Sequence, residues 1–177
     1  MKYAREKHVL NCFCYTGGFS VYALAGGAKG ATSVDSSSRA LDLARENVIL
    51  NGFDPALCEF VCEDVKKYLR DSAKTFEAII LDPPAFIKDR RKKHEGLAGY
   101  KSINEMALRK LMPGGILLTC SCSAHLSLND FRYLLSEVGA KAHRALTFLE
   151  VYTHGIDHPQ LVPFTEGEYL KAVFLKA

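Results

Sequence analysis

The chain has 177 residues, 48% hydrophobic and 24% charged, with a formal net charge of +3. Those values suit one soluble globular domain able to bury a full core. No apolar run approaches the ~20 residues a membrane span needs, and the opening Met1-Lys2-Tyr3-Ala4-Arg5-Glu6 has no signal-peptide stretch. A cytoplasmic protein is expected. The six cysteines are Cys12, Cys14, Cys58, Cys62, Cys120 and Cys122. They contain no C-x-x-C, so the zinc spacing rule fails and no metal is expected. Disulfides are not needed in a cytosolic chain of this size. Four or five of the thiols read as small core hydrophobes, and Cys122 fits that reading least well.

Strands and helices alternate almost without pause. His8 to Phe13 reads as a buried first strand, followed by a Gly17-Gly18 turn and a helix from Phe19 to Ala25. Ala31 to Asp35 is a second strand. Ser36 to Ser38 then supply the N-cap of a helix with Leu41, Ala44, Val48 and Ile49 on one face, and Gly52 stands where a left-handed residue would end it. Glu59 to Cys62 is a third strand, ending at Glu63-Asp64 before a short helix through Leu69. Phe76 to Leu81 is a fourth, ending at Asp82. A basic, glycine-containing loop leads to a helix carrying Ile103, Ala107, Leu108 and Leu111, broken by Pro113-Gly114. The fifth strand, with Ile116-Leu117-Leu118, runs into Thr119-Cys120-Ser121-Cys122-Ser123. Ser127-Leu128-Asn129-Asp130 resembles a capping box for a helix with Phe131, Leu134, Leu135 and Val138. Ala145 to Tyr152 and Tyr169 to Leu175 close the sheet. This alternation predicts an α/β, doubly wound, mostly parallel sheet.

In such sheets ligands bind outside the carboxyl ends of the strands, so the strand ends carry the functional reading. Tyr15-Thr16-Gly17-Gly18 is a turn whose glycines let a ligand approach the backbone. Asp35, close to the ~20-residue spacing of ribose-binding acids, suits a ribose diol, and Asp64 an adenine amino group. The pyrophosphate fingerprint G-x-G-x-x-G is absent, which argues against NAD. A turn and two acids at successive strand ends suit a nucleoside without phosphates, a description that S-adenosylmethionine fits. Both aspartates also suit turn or capping roles. Asp82-Pro83-Pro84 and Cys122, a carboxylate and a thiol at two further strand ends, suggest covalent catalysis on an electrophilic ring. Lys88-Asp89-Arg90-Arg91-Lys92-Lys93-His94 offers phosphate contacts, with Lys88 and Arg91 foremost. Tyr100 suits stacking on a base, and Lys101 suits either a phosphate contact or a helix-start charge.

Several segments together carry a family resemblance. Leu10-Asn11-Cys12-Phe13-Cys14-Tyr15-Thr16-Gly17-Gly18-Phe19, Asp82-Pro83-Pro84-Ala85-Phe86, Gly99-Tyr100-Lys101-Ser102-Ile103-Asn104 and Ser121-Cys122-Ser123 resemble, in order, motifs of the RlmI-type 23S rRNA cytosine-5 methyltransferases. The tail His158-Pro159 with Glu166-Gly167-Glu168-Tyr169-Leu170-Lys171 is also similar. The resemblance implies a Rossmann-like class I methyltransferase fold with seven strands, the last antiparallel, and a single methyltransferase domain over 1–177. It also implies that this domain is the C-terminal catalytic part of a longer architecture with an N-terminal PUA domain.

For the site, the resemblance implies Cys122 as nucleophile and Asp82 as base-binding acid. S-adenosylmethionine would lie on Asn11, Phe13, Tyr15, Thr16, Gly17, Gly18, Asp35, Ser36, Asp64, Val65 and Asp82. Substrate would meet Pro83, Lys88, Arg91, Tyr100 and Lys101. The expected partners are rRNA and, in a homodimer, a second copy, with no membrane. Two other readings stay open: a guanine-nitrogen rRNA methyltransferase, and a cofactor-binding fragment without turnover. Ala85 after the two prolines disfavours adenine amino methylation, which calls for an aromatic residue there.

Overall fold

The structure is a computed structural model that describes residues 2–155, 158–159, 161, 163, 167 and 169–177. Glu166 and Glu168 of the quoted tail lie outside the described residues. Seven strands form one sheet in the order β3-β2-β1-β4-β5-β7-β6. They are β1 (His8–Cys12), β2 (Gly30–Asp35), β3 (Cys58–Cys62), β4 (Phe76–Leu81), β5 (Leu111–Ser121), β6 (Thr147–Tyr152) and β7 (Lys171–Lys176). The pairings β1–β2, β1–β4, β2–β3 and β4–β5 are parallel, whereas β7 runs against both β5 and β6. The doubly wound fold is therefore as the alternation of elements predicts, and its reversed last strand is as the family resemblance implies.

Strand order reverses between β1 and β4, and that switch point opens the crevice in which such folds bind ligands. Two helical layers cover the sheet. The helices α1 (Gly18–Ala25) and α2 (Ser38–Leu50) pack together on one face through Ala23, Leu24 and Val48. On the other face α3 (Val65–Asp71), α4 (Lys93–Lys110) and α5 (Leu128–Lys141) bury Leu69, Ile103, Leu108, Phe131 and Leu134 in the main core.

Local chemistry sets the helix ends. Ser37 caps α2 by accepting from the Ala40 N–H, and Ser127 caps α5 by accepting from the Asp130 N–H. Gly52 has φ 78° and closes α2 in a Schellman arrangement. The Phe53 N–H donates to the Val48 carbonyl and the Gly52 N–H to the Ile49 carbonyl.

Two expectations are corrected. The basic run is only partly loop: Arg90–Lys92 form a 3-10 turn and α4 already starts at Lys93. Leu111 belongs to β5, paired with Phe76 across a register shift, and not to the preceding helix. Glycines within α4 disguise its first turns, because glycine is a poor helix former. Here they answer a packing need. A Cβ on Gly96 would overlap Ile87 Cγ1 and lie 2.8 Å from the Phe86 carbonyl oxygen, and one on Gly99 would lie 3.2 Å from the Phe86 ring.

Candidate active site

After β1 the chain makes a strained turn. Phe13 and Tyr15 adopt left-handed φ of 59° and 47°, unusual for residues with side chains, and Gly17 has φ 77°. Asp35, at the end of β2, holds the turn: its Oδ2 accepts from the Tyr15 N–H (2.9 Å) and its Oδ1 from the Ser37 N–H (3.0 Å). Both oxygens keep lone pairs, and the residue is only half-buried. Asp64, at the end of β3, caps α3 with Oδ1 to the Lys67 N–H and is exposed, leaving its other oxygen uncommitted. Nothing lies within 4 Å of a Cβ built on Gly18. Open backbone at a turn between a half-buried and an exposed carboxylate fits a nucleoside, with the acids as acceptors for ribose hydroxyls and an exocyclic amine. Tyr15 is 70% exposed beside it, and Ser36 is exposed with its carbonyl accepting from the Cys62 thiol.

Three predicted cofactor residues have structural roles. Asn11 is fully buried (0% exposed) and its amide donates to Ser20 Oγ, itself 2.7 Å from Ser33 Oγ. It braces β1 against α1 and β2. The Val65 side chain lies in the main core. Gly17 serves close helix packing, since a Cβ there would stand 2.7 Å from that of Ala44. Phe13 and Thr16 are half-buried, and the Thr16 carbonyl anchors the Asn47 amide. If Asp35 holds a ribose, Asp35→Ala is expected to weaken S-adenosylhomocysteine binding ~10–100-fold, the ~1–3 kcal/mol of a charge-assisted hydrogen bond. Titration calorimetry reads this directly, with the turn's own stability followed by thermal unfolding.

The ends of β4 and β5 bring the second pair together. The Cys122 thiol is 3.9 Å from the Pro83 carbonyl oxygen and feels the Asp82 charge. Burial raises the Asp82 carboxyl's pKa. Burial first, and then Asp82, also raise that of Cys122, against a lowering influence from Lys171. Cys120, one layer deeper, is buried, and that burial pushes its thiol far up. All six cysteines are free; four are buried, Cys122 is half-buried and Cys62 exposed.

The serines flanking Cys122 face the opposite side of the strand end, as period-two alternation requires. Ser121 Oγ donates to the Tyr100 hydroxyl (2.9 Å), which is also 2.9 Å from Ser123 Oγ, and Ser123 Oγ accepts from the Ile87 N–H. Tyr100 is thus a hub that ties β5 and α4 to the loop after Asp82. It is 0% exposed, so the expected base stacking is corrected to a packing role. Pro83 is buried as well and offers only its carbonyl. Lys101 lies well inside α4 and pairs with Glu137 of α5 at 2.7 Å, far from a helix start.

Within the basic run, Arg91 is neutralised by Asp89 (2.6 Å) and Lys93 by Asp130 (2.8 Å). Lys88, Arg90 and Lys92 make no ion pair among the described residues. Arg90 opens onto a groove of about 850 Å³, lined also by Lys93, His125, Ser127, His154 and Lys171. The sequence placed Arg90 in the phosphate-contacting run and Lys171 in the matched tail without singling either out, and it passed over His125, whose position just after Ser-Cys-Ser was the available signal.

A doubly wound seven-stranded sheet with a reversed last strand, a glycine turn after β1 and acids at the ends of β2 and β3 defines a class I methyltransferase domain. The chain belongs to the S-adenosylmethionine-dependent methyltransferase family, whose model matches residues 1–176, and its cofactor is S-adenosylmethionine. It is 44% identical over 173 residues to the ribosomal RNA large subunit methyltransferase I of Klebsiella pneumoniae (strain 342), covering 96% of this chain and 43% of that one. To the enzyme of that name from Aeromonas hydrophila it is 44% identical over 179 residues, 99% of this chain and 45% of the relative. The chain spans less than half the length of these relatives. Among solved structures, a candidate SAM-dependent methyltransferase from Streptococcus mutans matches at TM-score 0.84 and 30% identity, over 98% of this chain and 45% of that one. A candidate methyltransferase complexed with SAH matches at 0.84 and 29%, over 98% and 46%. No helix among the described residues is long and apolar enough to cross a membrane.

Proposed function

We propose that this domain transfers a methyl group to carbon 5 of a cytosine in large-subunit rRNA, with Cys122 as nucleophile. The observation that carries the reading is a half-buried thiol at the end of β5 beside Asp82, across the switch point from the nucleoside-fitting turn. The relatives' name, ribosomal RNA large subunit methyltransferase I, supports the substrate class. Bound S-adenosylmethionine supplies an electrophilic methyl on a sulfonium. Cytosine carbon 5 is too weak a nucleophile to take it unaided. Attack of the Cys122 sulfur on carbon 6 forms an S–C bond and makes carbon 5 enamine-like, so that it accepts the methyl. The raised pKa of Asp82 suits a carboxyl that holds a proton against nitrogen 3 of the ring while the adduct forms. Loss of the carbon-5 proton and departure of the sulfur from carbon 6 restore the aromatic ring.

The product decides between chemistries. After incubation with labelled cofactor and large-subunit rRNA, nucleoside digestion and mass spectrometry should find 5-methylcytidine. Methylated guanosine instead would replace this reading with base-nitrogen transfer, which needs no thiol.

Grip on RNA is assigned to the unpaired cations of the basic run, of which Arg90 lines the groove. Reversing Lys88, Arg90 and Lys92 to glutamate should weaken RNA binding and flatten its salt dependence, by ~0.7 in log–log slope for each single-strand phosphate that is no longer neutralised. Cofactor binding should be untouched. An unchanged slope, measured by filter binding across a salt series, would leave this run as solvated surface.

A further inference from the structure

Lys171 is the one charged side chain among the described residues that is buried, at 3% exposure. No carboxylate pairs with it among the described residues. It stands on β7 in register with Ser121, next to the strand end that carries Cys122. Its Nζ donates to the carbonyls of Ser123 (2.8 Å) and Leu126 (2.5 Å), the turn that begins directly after Cys122. An ammonium has three donors, so one remains beyond those two. Burying a cation without a counter-ion is expensive, and a neutral side chain could fill the same space. The cost makes sense if an anion arises nearby.

We propose that Lys171 is a positioning residue that seats the turn after Cys122 and supplies the buried positive charge against which the Cys122 thiolate forms. The inference rests on Cys122 as nucleophile and adds how that thiol is made ready. The titratable groups around the sulfur are Asp82 from the end of β4 and Cys120 on its own strand. Lys171 leaves β7 on the Ser121 face and brings its charge to the carbonyl of Ser123, the residue after Cys122. Asp82 and burial oppose ionisation, and Lys171 is the one cation that favours it. The influence runs both ways: burial lowers the Lys171 pKa, and Cys122 raises it back. On ionisation the thiol proton goes to solvent. The sulfur keeps the electron pair that forms the bond to carbon 6, while the ammonium stays protonated throughout. A reactive thiol requires nearby positive charge of this kind.

The test is the pH dependence of Cys122 alkylation by iodoacetamide, followed by peptide fragmentation mass spectrometry on the folded chain. In Lys171→Met the midpoint should rise by about one pH unit, making alkylation about tenfold slower below it. Lys171→Arg keeps the charge and should stay within about threefold of wild type. Circular dichroism and S-adenosylhomocysteine titration check the fold. Should the Met variant not fold, Lys171→Gln, which keeps an amide donor for the turn carbonyls, takes its place with the same expected shift. An unchanged midpoint in a folded neutral variant overturns the proposal, as does equal slowing in the Arg variant, which marks a packing role only. Alkylation needs no RNA. If Cys122→Ala still transferred methyl groups, the nucleophile reading would fail while the Lys171 shift stood; an unshifted Lys171→Met beside an inactive Cys122→Ala fails only this inference.

Discussion

Cys122→Ala is expected to abolish methyl transfer, a loss on the order of 10³-fold or more, since removing a covalent nucleophile closes the whole route. S-adenosylhomocysteine binding should be unchanged, because the turn at 13–18, Asp35 and Asp64 lie at other strand ends. Cys120→Ala is the matched control. Its sulfur is buried one layer below, so its loss should cost about 1 kcal/mol of stability and leave most activity. Transfer assays on both variants check the pair. An active Cys122→Ala with an inactive Cys120→Ala would keep the chemistry and move it two residues down the strand.

Gly96→Ala is expected to have the second largest effect, and on both stability and turnover. The new Cβ would overlap Ile87 and crowd the Phe86 carbonyl, and backbone cannot swing aside as a side-chain tip does. Overpacking of this kind costs ~1–3 kcal/mol. The strain falls on the segment that runs from Asp82 to Ile87, whose N–H is tied to Ser123 beside the nucleophile. Activity should therefore fall further than the folded fraction does. Denaturant melts and transfer rates on the same preparation check it. A variant that loses stability but keeps the wild-type rate per folded molecule would separate this loop from the chemistry.

Most of the sheet was legible because its strands are short apolar runs ending in acids or glycines, and β4 occupies the predicted Phe76–Leu81 without change. The start of α4 was not. Arg90 to His94 and two glycines read as loop by propensity, and only the way Phe86 and Ile87 fold back onto α4 explains why a helix there must lack Cβ atoms. Tyr100 shows the same limit. An aromatic after a basic run reads as a stacking surface, yet its hydroxyl is consumed by Ser121 and Ser123, more than 20 residues away. The strand-end acids were legible in position: both oxygens of Asp35 accept from backbone N–H groups, and Asp64 caps α3 with one oxygen. The burial of Lys171 was not legible because a lysine beside two acids reads as solvated, and it follows from β7 inserting between β5 and β6.

The most direct test of the central claim is trapping with RNA containing 5-fluorocytosine. After methyl transfer, fluorine at carbon 5 cannot leave as a proton would, so the thioether to carbon 6 persists. The account predicts a complex that survives denaturing electrophoresis, forms only with S-adenosylmethionine present, and maps to Cys122 by peptide mass spectrometry. Methylation of the unmodified RNA at cytosine with no trapped complex on the fluorinated one, or a complex mapped to another residue, would contradict it.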